Sequence, residues 1–246
     1  MKADAPQWRA RGESRPCGRH TGCESACQDR MVYRRNGSRH VILLADGAGT
    51  DSALGAEGIS EILRRAGEMI ADEDFDYMNM EEDELRERVG RCVRGTIREL
   101  AGRLKVPEET FASTFLAVCA DEKAGTWCSF HLGDGAILCR AAQCRVISYP
   151  MNGFEENETI LTTGKDAFSM MKIRRSYLDD CTAFSLLTDG LWDAGLRNCP
   201  RASFEAARSG DMLGRSRAAD DCAAIMLYRV PRPSIPLPAV AHHAMM

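Results

Sequence analysis

Residues 111–149 read FASTFLAVCADEKAGTWCSFHLGDGAILCRAAQCRVISY. Apolar runs of strand length follow one another here: Thr114–Ala120, Gly125–Gly133, Ala136–Ala141 and Cys144–Tyr149. No helix separates them, so the βαβ alternation of a parallel sheet is missing. Working outward, Met31–Ala45 (MVYRRNGSRHVILLA) reads as two strands joined at Asn36-Gly37, a dipeptide suited to a type I′ hairpin turn. Helical spacing then puts Leu54, Ile59, Ile62, Leu63, Ala66 and Ile70 on one face. A second helix carries Leu85, Val89, Val93, Ile97, Leu100 and Leu104 until Pro107 stops it. The acidic run Asp72–Glu84 between them reads as a solvated loop. Further strands are expected at Glu158–Thr163, Thr182–Thr188 and Cys222–Val230, with helical turns around Leu191–Leu196 and Ala202–Ser209. Two helices followed by a train of strands predict an α+β domain of two stacked antiparallel sheets with helices packed outside.

The expected domain spans residues 8–230, after a short tail at 1–7 and before a Pro-rich, disordered tail at 231–246. At 246 residues, 44% hydrophobic and 28% charged, the chain can bury a sizeable core. A net charge of −4 with no dominant basic patch argues against a nucleic-acid partner. No apolar run of about 18 residues marks a membrane span. The opening MKADAPQWRARGESRP lacks the apolar core of a secretory signal. The 11 cysteines are an odd number and mostly sit in apolar runs, so they read as reduced core residues of a cytoplasmic protein.

A recurring context points to chemistry. Apolar strands end at Asp46 (VILLADGAG), Asp134 (FHLGDGA) and Asp189 (FSLLTDGLWD), and one begins after Asp220 (AADDCAAIML); Asp29 precedes the first hairpin strand. A buried strand delivers its end residue to a fixed place, and carboxylates gathered there would repel one another in poorly solvated surroundings. Divalent cations relieve that repulsion, and hard ions such as Mg²⁺ and Mn²⁺ favour oxygen donors. Taken singly each Asp-Gly is more often a turn than a ligand; in sequence and at strand ends, the set points to a Mg²⁺ or Mn²⁺ site with hydrolytic potential.

The order of these motifs resembles the metal-dependent protein phosphatase family of the 2C type, in its bacterial subgroup. The resemblance is carried by Gln28-Asp29, Asp46-Gly47-Ala48-Gly49, Ala112–Val118, Gly133-Asp134-Gly135, Thr188-Asp189-Gly190-Leu191-Trp192-Asp193 and Asp220-Asp221, from about Gly12 to Val230. It implies a four-layer αββα sandwich and a binuclear Mn²⁺ or Mg²⁺ site, with a third, weaker ion in bacterial members. Carried over, Asp46 bridges two metals, Asp189 and Asp220 complete the first, and the Gly47 carbonyl binds the second. Asp29 supports the second metal, and Asp134 with Asp189 holds the third. The implied reaction is in-line attack of a metal-activated water on a phosphoserine or phosphothreonine, with Asp46, Asp189 and Asp220 catalytic. The implied partners are a phosphoprotein and a cognate kinase, and the chain is expected to act as a monomer.

Departures from the pattern are specific. Glu24 stands where many members carry the arginine that grips the substrate phosphate, leaving Arg19, His20 and Arg30 as substitutes. His20, in the loop before Asp29, has the best claim as general acid or phosphate contact. Gln28 replaces a metal-binding Glu of animal members. A second reading follows from Glu24: a catalytically weak, phosphatase-like binding module. Cys17, His20, Cys23 and Cys27 invite a zinc reading, but their ligands lie closer than structural zinc knuckles, and a polar loop explains them as well. His131 reads as a hydrogen-bonded strand histidine, and Trp192 as core.

Overall fold

The computed structural model describes residues 7–16, 27–49, 53–151, 159–179, 181–193, 201–202, 204–205 and 221–230. The strands are β1 Gln7–Arg15, β2 Arg30–Asn36, β3 Arg39–Ala45, β4 Phe115–Asp121, β5 Thr126–Leu132, β6 Ala136–Arg140, β7 Cys144–Ser148, β8 Lys172–Tyr177, β9 Ala183–Leu187 and β10 Cys222–Val230. The helices are α1 Ala53–Ala71, α2 Glu82–Leu104 and the short α3 Asp189–Asp193. The tail at 231–246, the Cys17–Cys23 part of the cysteine-histidine cluster, His20, Glu24 and Asp220 lie outside the described residues.

Two five-stranded sheets form, ordered β1-β10-β9-β6-β7 and β2-β3-β4-β5-β8. Every pairing is antiparallel, including that of β3 with β4, which α1 and α2 connect. Side chains alternate across each strand, so the central strands feed two cores at once. Val41, Leu43, Ala117, Cys119 and Phe130 face Ile59, Ile62, Leu63, Leu85, Val89 and Val93 of α1 and α2. Their neighbours Ile42, Leu44, Leu116 and Val118 meet Ile137, Phe184, Leu186, Ile225 and Leu227 between the sheets. On the far face, Leu138, Leu187, Ala224 and Met226 pack against Leu191, Trp192 and Phe204. Three cores in series make the expected four layers. Glu82, Asp83 and Glu84 open α2, where carboxylates complement the positive helix end, and Lys105 closes it in the left-handed region at φ 56°.

Three local expectations need correction. Glu158–Thr163 is not a strand: in its described part, Thr159–Thr163, only Thr159 is a bridge residue, and a turn begins at Thr162. Its threonines bond instead to the segment before β4 and to the aspartate loop: the Thr162 N–H donates to Ser113 O at 2.9 Å, Thr162 Oγ1 accepts from the Ser113 N–H at 3.3 Å, and the Thr159 hydroxyl donates to Asp134 Oδ2. Strand β8 escapes the apolar pattern because KIRRSY is a charged sheet edge, a composition that protects an edge from pairing with other chains. The acidic loop between the helices is exposed at its carboxylates, yet Phe75 and Tyr77 are buried within it. Arg39, bonded to Asp121 at 3.1 Å, also reaches the carbonyls of Asp72 and Phe75. Arg175 grips those of Tyr77, Met78 and Met80. The loop is therefore tied to the sandwich through its backbone.

Candidate metal centre

Register brings the aspartates together. Arg30 pairs with Ala45, so the start of β2 lies beside the end of β3. Leu44 pairs with Leu116 and Phe115 with Leu132, placing the end of β5 at the same end of that sheet. In the other sheet Leu187 pairs with both Ala136 and Ala224, so the end of β9 meets the starts of β6 and β10. Asp29, Asp46, Asp134, Asp189 and Asp221 each sit just beyond one of these strand ends. They are far apart along the chain and share one end of the sandwich.

Carboxylate oxygens of Asp46, Asp134 and Asp189 lie within 4.8 Å of one another, an all-oxygen set that could hold a cation. Asp29 is buried behind them, in hydrogen-bonding reach of Asp46, with Asp189 and Asp221 near enough to raise its pKa. Burial first, and the Asp221 and Asp189 charges after it, push the Asp29 carboxyl up to about 7. Burial likewise holds Asp46 well above the ordinary carboxylate range, reinforced by the charges of Asp29 and Asp189. Asp29 Oδ1 and Asp134 Oδ1 are buried and receive no N–H donor among the described residues. Buried, crowded, under-satisfied carboxylate oxygens suit a hard divalent ion and suit little else.

Threonines orient this set. The Asp46 N–H donates to Thr114 Oγ1 at 2.8 Å, and the Thr114 N–H donates back to Asp46 O at 2.9 Å. The Thr159 hydroxyl donates to Asp134 Oδ2. Thr188 Oγ1 accepts from the Ala223 N–H at 2.9 Å and donates to Asp29 Oδ2 at 3.2 Å. Asp221, fully outside the roles expected from sequence, accepts from the Gln28 N–H at 3.2 Å and so joins β10 to the turn before β2. None of Thr114, Thr159 or Thr188 was a candidate in sequence, although Thr188 precedes Asp189 in the TDG run. Thr188→Val keeps the shape but strands the Ala223 N–H and removes a bond that lowers the Asp29 pKa. The expected loss is about 1–3 kcal/mol in urea unfolding of the metal-free protein.

Two glycines let the loops close. A Cβ on Gly47 would stand 2.6 Å from Gln28 Cβ, so the Asp46-Gly47 turn can approach Gln28 only with glycine there. Gly133 has φ +109° and its Cβ would meet Thr114 Cγ2 at 2.5 Å. Gly133→Ala therefore strains the backbone and pushes on the threonine that holds Asp46. A loss of about 2–3 kcal/mol is expected, read as a melting temperature lower by roughly 5–10 °C.

His131 is fully buried, its Nδ1 is 2.6 Å from Ser148 Oγ, and burial lowers its pKa to about 3. It is a neutral strand histidine. Trp192 is buried, with Tyr149 edge-on at 6.4 Å. Arg30 lies near the cluster, but its Nη1 donates to the carbonyls of Cys27 and Asp29. Among the described residues no helix is long and apolar enough to cross a membrane.

The fold is an antiparallel two-sheet sandwich under helices, with acidic strand ends gathered at one edge. The protein phosphatase 2C profile matches residues 18–221, and the chain belongs to that family. Solved structures share the fold at low identity. The S. agalactiae serine/threonine phosphatase is 14% identical, with a TM-score of 0.67, covering 90% of this chain and 99% of that one. PppA of Pseudomonas aeruginosa, described as a regulatory component of a type VI secretion system (T6SS), is 17% identical with a TM-score of 0.63, covering 91% and 98%. RsbX in complex with magnesium is 16% identical with a TM-score of 0.56, covering 91% and 96%. No curated protein matches the sequence.

Proposed function

We propose that the chain is a metal-dependent serine/threonine phosphoprotein phosphatase whose catalytic domain spans residues 8–230. The observation that carries this is the meeting of Asp46, Asp134 and Asp189 within 4.8 Å, beside buried Asp29. Family membership supports divalent-metal phosphatase chemistry, and the all-oxygen donor set supports Mn²⁺ or Mg²⁺. Asp46, Asp189 and Asp220 would hold one ion. Asp46, the Gly47 carbonyl and Asp29 would hold a second, and Asp134 with Asp189 a third. When bound, the ions lower the pKa of a water and offset phosphoryl charge.

The chain's own part is positional. Thr114 fixes the Asp46 backbone, Thr188 holds Asp29, and the Gly190 N–H donates to Asp189 Oδ1 at 2.6 Å. His20 is assigned as general acid or phosphate contact. The partners are a phosphorylated protein and the kinase that made it, in the cytoplasm, with the phosphatase acting as a monomer. The test is hydrolysis of a phosphothreonine peptide by metal-stripped protein as Mn²⁺ or Mg²⁺ is restored. Turnover that rises with the ion supports the reading. Ion binding seen by calorimetry without turnover would instead favour the phosphatase-like binding module.

A further inference from the structure

At the end of the sandwich opposite the aspartates, two thiols touch. Cys139 lies near the end of β6 and Cys181 on the turn leading into β9, and their sulfurs are 3.1 Å apart. Both are buried, at 0% and 3% exposure. The contact is held by backbone: the Thr182 N–H donates to Arg140 O at 2.7 Å, and the β6–β9 register runs from Ala136–Leu187 to Arg140–Ala183. A disulfide bond, at ~2.05 Å, lies only about 1 Å inside this separation. The charged groups facing the pair are both cations, Arg145 of β7 and Arg229 of β10.

We propose that Cys139 and Cys181 are an oxidation site, forming a reversible intramolecular disulfide on reaction with hydrogen peroxide. Cys181, the less deeply buried of the two at 3% against 0%, is the attacking sulfur. Arg145 and Arg229 beside it favour its thiolate. The Cys181 thiolate attacks one peroxide oxygen, the O–O bond breaks, and hydroxide leaves and takes up a proton. The resulting sulfenic acid is attacked by the Cys139 sulfur, which forms the S–S bond and expels water with the Cys139 proton. One peroxide and two thiols thus give one disulfide and two waters, and a dithiol reductant reverses the change. Burial selects a small oxidant over a bulky disulfide such as glutathione disulfide.

The bond would tie β6 to the turn before β9 across 42 positions of chain. Those same strands begin after Asp134 and end before Asp189, so the crosslink braces both from behind. The inference needs neither metal nor turnover and stands apart from the phosphatase reading.

The test treats full-length reduced protein with hydrogen peroxide, alkylates remaining thiols after unfolding, and maps peptides without reduction. The expected result is a linked peptide pair carrying Cys139 and Cys181, lost after dithiothreitol. A melting temperature about 5 °C or more above the reduced form is expected with it. Cys181→Ser and Cys139→Ala should each lose the link and the shift; the wild-type map decides even if a variant does not fold. Wild-type Cys139 and Cys181 both recovered alkylated, either linked to another cysteine, or faster linking by glutathione disulfide would overturn the proposal.

Discussion

Asp46→Asn is expected to lower Mn²⁺-dependent hydrolysis of a phosphothreonine peptide or p-nitrophenyl phosphate by about 10³-fold, with Asp189→Asn close behind. Loss of an outer hydrogen-bond partner of a metal ligand typically costs about 10–100-fold. Asp46 meets Asp134 and Asp189 directly and also reaches Asp29, so its loss should exceed that range. The same change should make the metal-free protein more stable. Burial and the charges of Asp29 and Asp189 disfavour an ionised Asp46, and the amide removes that repulsion while keeping the shape. A higher melting temperature without metal, together with lost turnover, separates a ligand role from damage to the fold. Unchanged turnover in Asp46→Asn would end the catalytic assignment.

The contribution of Asp29 and Asp46 to the stability of the metal-free protein is expected to fall as pH rises from about 4 to 7, and Mn²⁺ to restore it. Buried, neutral His131 contributes in the opposite sense over the same range. Asp29 is held at about 7 in the folded protein against an ordinary value of 3.8, and Asp46 is raised well above its own. Between these values the native state keeps protons that the unfolded chain has released. The contribution of the two carboxyls therefore falls with rising pH, the opposite of a salt-bridged carboxylate. The fall is on the order of a few kcal/mol. A divalent ion replaces the protons, so its benefit should grow with pH. At about 100 times its dissociation constant it adds ~2.7 kcal/mol, roughly 5–10 °C in a chain of this size. Differential scanning calorimetry across pH 4–8, with and without Mn²⁺, reads both arms. His131 is common to wild type and Asp46→Asn, so the difference between their metal-free profiles isolates the carboxyl part. A difference that does not change with pH would show that the buried carboxyls do not carry the strain assigned to them, and Asp46→Asn should abolish most of the Mn²⁺ gain.

Strands and helices with a strong period were legible in the chain itself. The Asn36-Gly37 hairpin, the apolar faces of α1 and α2, and most of the strands from β4 onward follow from side-chain spacing alone, because burial of a face imposes the period. So did the positions of the aspartates, since an apolar strand ending at Asp-Gly is visible in one dimension. Strand β8 was not legible, because its charges suit a sheet edge. Thr159–Thr163 misled because threonine suits a strand ladder in composition, while here its hydroxyls and amide bond to distant Asp134 and Ser113. Only the tertiary structure decided which acidic ends meet. Register in two different sheets sets Asp46 against Asp134 and Asp189, and pairing between β10 and β9 carries Asp221 to the same edge. It also decided that Thr114, Thr159 and Thr188 hold the carboxylates and that Cys139 faces Cys181. Local sequence is read by spacing along the chain; proximity across a sandwich is set by strand order, which no single segment encodes.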